Sequence, residues 1–289
     1  MRLCAVGGLL PVLALLGGCA ATLRDVPRPE SHAWAAPQAT ALGRDFAARV
    51  PPGGSAFHVV ESGLDALRVR AELANYAERT LDLQYYTLHA DATTDLLTWR
   101  LLAAARRGVR VRLLLDDLYA AAHDARLAAL AAQPGIEVRV FNPFVQRGGP
   151  GLAWLLEFLA DPARLNRRMH NKLWIADNAA AVLGGRNLGD NYFDAHQEGN
   201  FNDLDLLAAG AVVQGLSASF DEYWNSPWSV PVGAFADPVA PAATDALERQ
   251  LRERMEGFRE GAYALALREA RSEEHTSELQ SRLHLVCRL

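Results

Sequence analysis

The chain has 289 residues, half of them hydrophobic, and a net charge of −5. That is enough for one large domain or two small ones with a real core. The acidic balance excludes a general nucleic-acid coat and makes nucleic acid an unfavoured partner.

The N-terminus reads as an export signal. Met1-Arg2 is a short basic start, and the apolar run over residues 3–16 is too short to span a bilayer comfortably. Leu16-Gly17-Gly18-Cys19 closes it with small residues and resembles a bacterial lipoprotein box, which implies cleavage before Cys19 and lipidation of Cys19. Residues 1–19 are thus expected to be a lipoprotein signal facing the chain to the periplasm. Ala20 follows rather than Asp, the pattern expected of an outer-membrane protein in a Gram-negative host. The three cysteines are Cys4, Cys19 and Cys287, so residues 20–270 offer no disulfide.

Residues 20–55 carry Pro27, Pro29, Pro37, Pro51 and Pro52 among Ala and polar residues and are expected to be a tether. Regular patterning begins at 56. A strand is predicted at 56–61, a helix at 63–79, a strand at 81–86 and a helix at 92–107 ended by Gly108. A strand at 109–115 runs into Asp116-Asp117, and a helix at 121–132 leads to a strand at 136–141. Segments 172–176 and 180–183 read as a strand pair, 205–209 as a further strand and 212–223 as a closing helix. A Pro-rich linker follows at 226–242, then a charged amphipathic helix at 244–270 that needs a partner surface. Strands alternating with helices predict an α/β fold with a mixed, largely parallel sheet and right-handed crossovers. Residues 271–289 read as translated sequencing adapter, so the natural sequence is expected to continue differently beyond Ala270.

Leu152-Ala153-Trp154-Leu155-Leu156-Glu157-Phe158-Leu159 is strongly apolar. It reads either as a lip that dips into a bilayer or as a plain core helix. Arg164, Arg167 and Arg168 follow as a basic cluster suited equally to lipid or nucleic-acid phosphates, with a solvated charged loop as the other reading.

The chemistry concentrates in His170-Asn171-Lys172-Leu173-Trp174-Ile175-Ala176-Asp177 and in Gly184-Gly185-Arg186-Asn187. Cleaving a phosphodiester needs cationic or N–H donors on the non-bridging oxygens and a nucleophile in line with the leaving oxygen. A neutral imidazole serves as that nucleophile by forming a phosphohistidine. On a strand, positions i and i+2 face one side, so His170 and Lys172 are expected to share a pocket. Gly184-Gly185 admits a neighbouring backbone closely, and Asn187 is expected to donate its amide to the phosphoryl oxygens. Asp177 lies near the strand end and is expected to orient and charge-balance the site. His58, His89, His123 and His196 show no metal-ligand spacing, and no metal or cofactor is expected.

This His-x-Lys-x4-Asp pattern with Gly-Gly-x-Asn resembles the signature of the phospholipase D superfamily. Leu83-Gln84-Tyr85-Tyr86, Leu113-Leu114-Leu115-Asp116-Asp117, Asn142-Pro143-Phe144 and Leu165-Asn166-Arg167-Arg168-Met169 are further segments similar to bacterial cardiolipin synthases of the C type. The resemblance covers about residues 56–230 and implies one lobe of a two-lobed fold. It implies two motifs meeting at a pseudo-two-fold interface, one histidine attacking phosphorus and the other protonating the leaving alcohol; which role His170 takes is open. It implies an acidic partner for His170 on a neighbouring strand, with Asp203 as the first candidate and Asp205 as the second. It implies phospholipid as substrate, with Arg167, Arg168 and Gly185 on the binding side. The chain holds one motif, so three outcomes stand. These are a phosphatidyltransferase completed by a missing C-terminal lobe, a phosphodiesterase or nuclease completed by a homodimer mate, and an inactive lipid-binding half.

Overall fold

The computed structural model describes residues 23–120, 123–147, 151–196 and 198–260. Cys19, the signal and the tail from 271 lie outside them.

In chain order the elements are α1 (Ala41–Ala47), β1 (Ser55–Val60), α2 (Gly63–Tyr76), β2 (Thr80–Tyr85), α3 (Ala92–Arg106), β3 (Arg110–Asp116), α4 (Asp117–Ala120), α5 (Asp124–Ala131) and β4 (Ile136–Phe141). Then come α6 (Leu152–Ala160), α7 (Pro162–Leu165), β5 (Leu173–Ala176), β6 (Ala180–Gly184), β7 (Asp205–Gly210), α8 (Ala211–Trp224), β8 (Ser229–Pro231) and α9 (Pro241–Glu260). Side-chain caps start several helices where the sequence signals them. Ser62 accepts from the Asp65 amide ahead of α2, and Asp91 accepts from the Thr94 amide ahead of α3.

Among the described residues eight strands form one sheet in the order β1-β7-β6-β5-β2-β3-β4-β8. The α/β architecture predicted from the alternation holds. Parallel pairing, however, is confined to β2–β3 and β3–β4, where α3 and α5 serve as crossovers. The other five neighbouring pairs are antiparallel, and β5 and β6 are joined too closely in sequence for a helical crossover.

Alternate strand residues feed two cores. On one face Leu81, Leu83, Val111, Leu113, Val138 and Trp174 pack under α2, α3, α5 and α9. On the other, Leu114, Leu173, Ile175 and Ala181 meet Val213, Phe220 and Trp224 of α8.

Two segments differ from expectation. From residue 23 on, the expected tether is a strap docked on the body. Arg112 donates to the Ser31 carbonyl at 2.7 Å, Arg139 to the Pro29 carbonyl at 2.6 Å and Asn178 to the Trp34 carbonyl at 3.0 Å. Proline-rich chain carries few donors of its own but keeps its carbonyls, and arginines at the sheet satisfy them. Second, α9 finds its partner surface within this lobe. Leu247, Leu251 and Met255 are buried, and Arg254 pairs with Asp95 at 2.6 Å.

Candidate functional site

One end of the sheet gathers the C-terminal ends of β2, β3, β4 and β6 with the N-terminal ends of β5 and β7. The residues just before β5 run along this end. They are held by neighbours that sequence pattern alone assigned no task. Asp116, closing β3, accepts the Met169 amide at 2.8 Å and pairs with Arg168 at 3.3 Å. Burial pushes the Asp116 carboxyl up from its ordinary value, while Arg168 and the Met169 and Leu118 amides pull it back. Asn142, in the left-handed region at φ 49°, donates to the Arg164 and Arg167 carbonyls at 2.7 and 2.9 Å. Arg168 returns a bond to the Asn142 carbonyl at 2.8 Å. The signal for these two residues was their place in segments similar to the family; nothing in local periodicity marks them.

His170 and Lys172 precede the hydrogen-bonded strand rather than lie in it, since β5 begins at Leu173. They nevertheless converge, and Tyr86 is where they meet. The exposed His170 ring stands edge-on to Tyr86 with centroids 4.7 Å apart, and Lys172 Nζ lies 5.3 Å from the Tyr86 ring centre. Lys172 is 7% exposed and donates to the His170 carbonyl at 2.7 Å. Burial pulls the Lys172 ammonium down from its ordinary value, and the Asp203 carboxylate opposes that.

The glycine pair is required sterically. A Cβ on Gly185 would stand 2.2 Å from Asp203 Oδ1, and one on Gly184 would stand 2.1 Å from Asp205 Oδ1. The Gly185 amide is committed to the Leu204 carbonyl at 3.1 Å. Gly185 therefore sets the spacing between β6 and the 203–205 segment, and its N–H is not offered to a substrate.

Asn187, 4% exposed, accepts from the Thr87 amide at 3.2 Å and donates to the Tyr192 hydroxyl at 3.0 Å. One amide hydrogen is thereby spent and one remains.

Asp203 lies against Gly185 and faces Lys172 electrostatically. Among the described residues no hydrogen bond joins it to His170. Asp205 is fully buried in ion pairs with Arg70 at 2.9 Å and Arg186 at 3.6 Å, so it is no partner of His170.

Three further expectations need correction. Asp177 sits at the far end of β5, roughly 20 Å from His170 by strand rise. Its carboxylate accepts the amides of Glu78, Arg79 and Thr80 at 2.9, 2.8 and 2.9 Å. It fastens the start of β2 to the β5–β6 turn and does not charge-balance the site. Arg168 is occupied by Asp116 and Asn142 as above, and Arg164 is occupied by Glu157 at 2.7 Å and by Asn142 at 3.1 Å. Of the basic cluster Arg167 is left exposed, its guanidinium 5.1 Å from the Trp228 ring centre.

The arrangement places an imidazole, an ammonium and a carboxamide at one mouth. Among the described residues no group of three or more His, Cys, Asp or Glu is arranged to hold a metal ion.

Residues 71–224 match the family model described as "Cardiolipin synthase, PLD-like domain". Cardiolipin synthase C of Escherichia coli is 44% identical over 216 residues, covering 71% of this chain and 45% of that protein. An uncharacterized protein of Helicobacter pylori is 39% identical over 217 residues, covering 74% of this chain and 43% of its own length. The chain thus spans less than half the length of these relatives. Among solved structures, NucT from Helicobacter pylori aligns with a TM-score of 0.44 at 15% identity, over 61% of this chain and 99% of that one.

Proposed function

The chain belongs to the cardiolipin synthase, PLD-like domain family, and on that premise we propose that it supplies one catalytic half of a phosphatidyltransferase. The substrate is a phospholipid of the phosphatidylglycerol type and the product a cardiolipin. The observation that carries this reading is the convergence of His170 and Lys172 on Tyr86, at the sheet end where Asn187 and Gly185 also lie.

The chemistry is a double displacement. An imidazole nitrogen attacks phosphorus as the bond to the departing alcohol breaks, giving a phosphohistidine. The paired histidine gives its proton to the leaving oxygen. It then takes the proton of an acceptor alcohol, whose oxygen attacks phosphorus and breaks the P–N bond. His170 is one member of that pair. Lys172 and the free Asn187 amide hydrogen neutralise the non-bridging oxygens. The second histidine comes from a second motif in a C-terminal lobe outside this sequence. A lipid anchor at Cys19 would hold the enzyme at the periplasmic side of a membrane. Among the described residues no helix is long and apolar enough to cross one.

The test is to extend the reading frame from its genome and express the longer protein. Conversion of phosphatidylglycerol to cardiolipin is expected. His170→Ala should abolish it and leave the thermal melt unchanged, since the side chain is exposed. Absence of a second His-x-Lys motif, or turnover retained in the variant, would sink the reading. Phosphodiester hydrolysis by a dimer of the present chain on gel filtration would favour the homodimer instead.

A further inference from the structure

Helix α6 is as apolar as the sequence suggests, yet none of its nine residues is buried. Leu152, Leu155, Leu156 and Leu159 are 73%, 45%, 57% and 64% exposed. The core-helix reading therefore fails. The opposite side of the helix is firmly seated. Trp154 packs 5.0 Å from Phe144, and Glu157 accepts the Val145 and Gln146 amides at 2.9 Å each while pairing with Arg164. The single charge on α6 is thus turned inward, and the leucines are held outward. Through Arg164 and Asn142 the helix connects directly to the segment that carries His170.

The geometry points to α6 as a membrane-inserting lip that sinks its leucines among phospholipid acyl chains and stations the His170 mouth at the lipid surface. This rests on the phospholipid reading of the site. Two observations select a bilayer over another protein surface. The four leucines offer on the order of 400 Å² of apolar area, about half of what each side of a stable protein interface buries. A short helix with an uncharged leucine face and aromatic residues behind it suits shallow insertion. The second observation is where the strap enters. Arg24 donates its amide to the Ala234 carbonyl at 2.8 Å. The neighbouring Phe235 ring centre lies 4.1 Å from the Arg147 guanidinium, Arg147 donates to the Phe144 carbonyl at 3.4 Å, and the Phe144 ring packs tilted against Trp154. The strap's first contact and α6 are therefore linked by unbroken packing. Cys19 precedes Arg24 by so few residues that a lipid on it would hold this part of the lobe within about 18 Å of the bilayer. Arg167 on Trp228 lies in the segment between α6 and His170, a cation–aromatic pair suited to the headgroup layer.

The experiment uses the mature form from residue 20, so that neither the apolar run of residues 3–16 nor an acyl group on Cys19 binds for it. Co-sedimentation with vesicles of phosphatidylglycerol and phosphatidylethanolamine should pull the protein down. The double variant Leu155→Glu, Leu156→Glu should lower the bound fraction at least tenfold with an unchanged thermal melt. Lipids brominated on the acyl chains should quench the parent protein more than its Trp154→Phe variant, a readout that needs no charged substitution. Equal vesicle binding by the double variant, or equal quenching of parent and Trp154→Phe, overturns the lip. So does a variant effect confined to self-association on gel filtration. Binding is read without turnover, so the two readings fail separately. A chain that binds vesicles but, once completed by its second motif, transfers no phosphatidyl group leaves the lip standing and overturns the transferase.

Discussion

The carboxylate of Asp116 accepts the backbone amide of Met169 at 2.8 Å, which ties the residue before His170 to the end of β3, two strands from β5 in the sheet. The histidine is therefore aimed by β3, a strand that carries none of the motif. Asp116→Ala should lower kcat for phosphatidyl transfer at least tenfold with little change in KM, because substrate contacts stay and alignment goes. Steady-state kinetics of the completed enzyme checks this. An equal rise in KM with kcat intact would point to substrate contact instead.

Asp177 predicts the opposite signature. Removing a carboxylate that satisfies three backbone amides leaves those donors, the Thr80 amide buried among them, without partners. Asp177→Ala should cost about 3 kcal/mol of stability, on the scale of hydrogen bonds to a charged group. Urea unfolding measures that loss. Turnover per folded molecule should stay near the parent value, which a residue of the catalytic mouth would not allow.

Gly185→Ala should displace Asp203, since the new methyl would lie 2.2 Å from its Oδ1. The 203–205 segment must then shift, which alters how the Asp203 carboxylate faces Lys172. A loss of about 1–3 kcal/mol, the usual range for overpacking, is expected in thermal or urea melts, together with reduced turnover. A variant as stable and active as the parent would show that this close approach is relaxed in solution.

Asp117 gives a pH dependence. Burial raises its carboxyl from 3.8 to about 6, with Arg147 opposing the shift. Between those values the unfolded group has lost its proton and the folded group keeps it. Unfolding therefore releases a proton, and the stability contributed by this group falls as pH rises from about 4 to about 6. The shift corresponds to roughly 3 kcal/mol at most. Asp117→Asn should flatten the stability profile across that window in urea titrations at graded pH.

Much of the central architecture was legible in the sequence because its elements are locally encoded. The alternating runs of β2, β3 and β4 and the capped helix α3 stand close to where periodicity put them. Strand direction was not legible for β5, β6 and β7. Short apolar runs say that a strand is buried but not which neighbour it finds or in which sense. The strap was hidden for a similar reason. Its carbonyls are satisfied by Arg110, Arg112 and Arg139, which read in sequence as ordinary charged strand residues. At the site, the reading of His170 and Lys172 as neighbours agrees with their convergence on Tyr86, although the common strand face invoked for it is not the cause. Asp177 misled because spacing within a motif does not reveal which end of a partner strand a carboxylate will meet.

The strap also bears on the order in which the lobe comes together. Arg24 closes on Ala234 across 210 residues of chain. The Arg24 end of the strap therefore has nowhere to dock until almost the whole lobe has followed it. Contacts of such long range form late, because the entropy of closing the intervening loop is lost before the contact stabilises anything. If Cys19 is lipidated during export, the N-terminal end waits at the membrane while the sheet assembles beside it, and the strap then seals a body already built at the lipid surface.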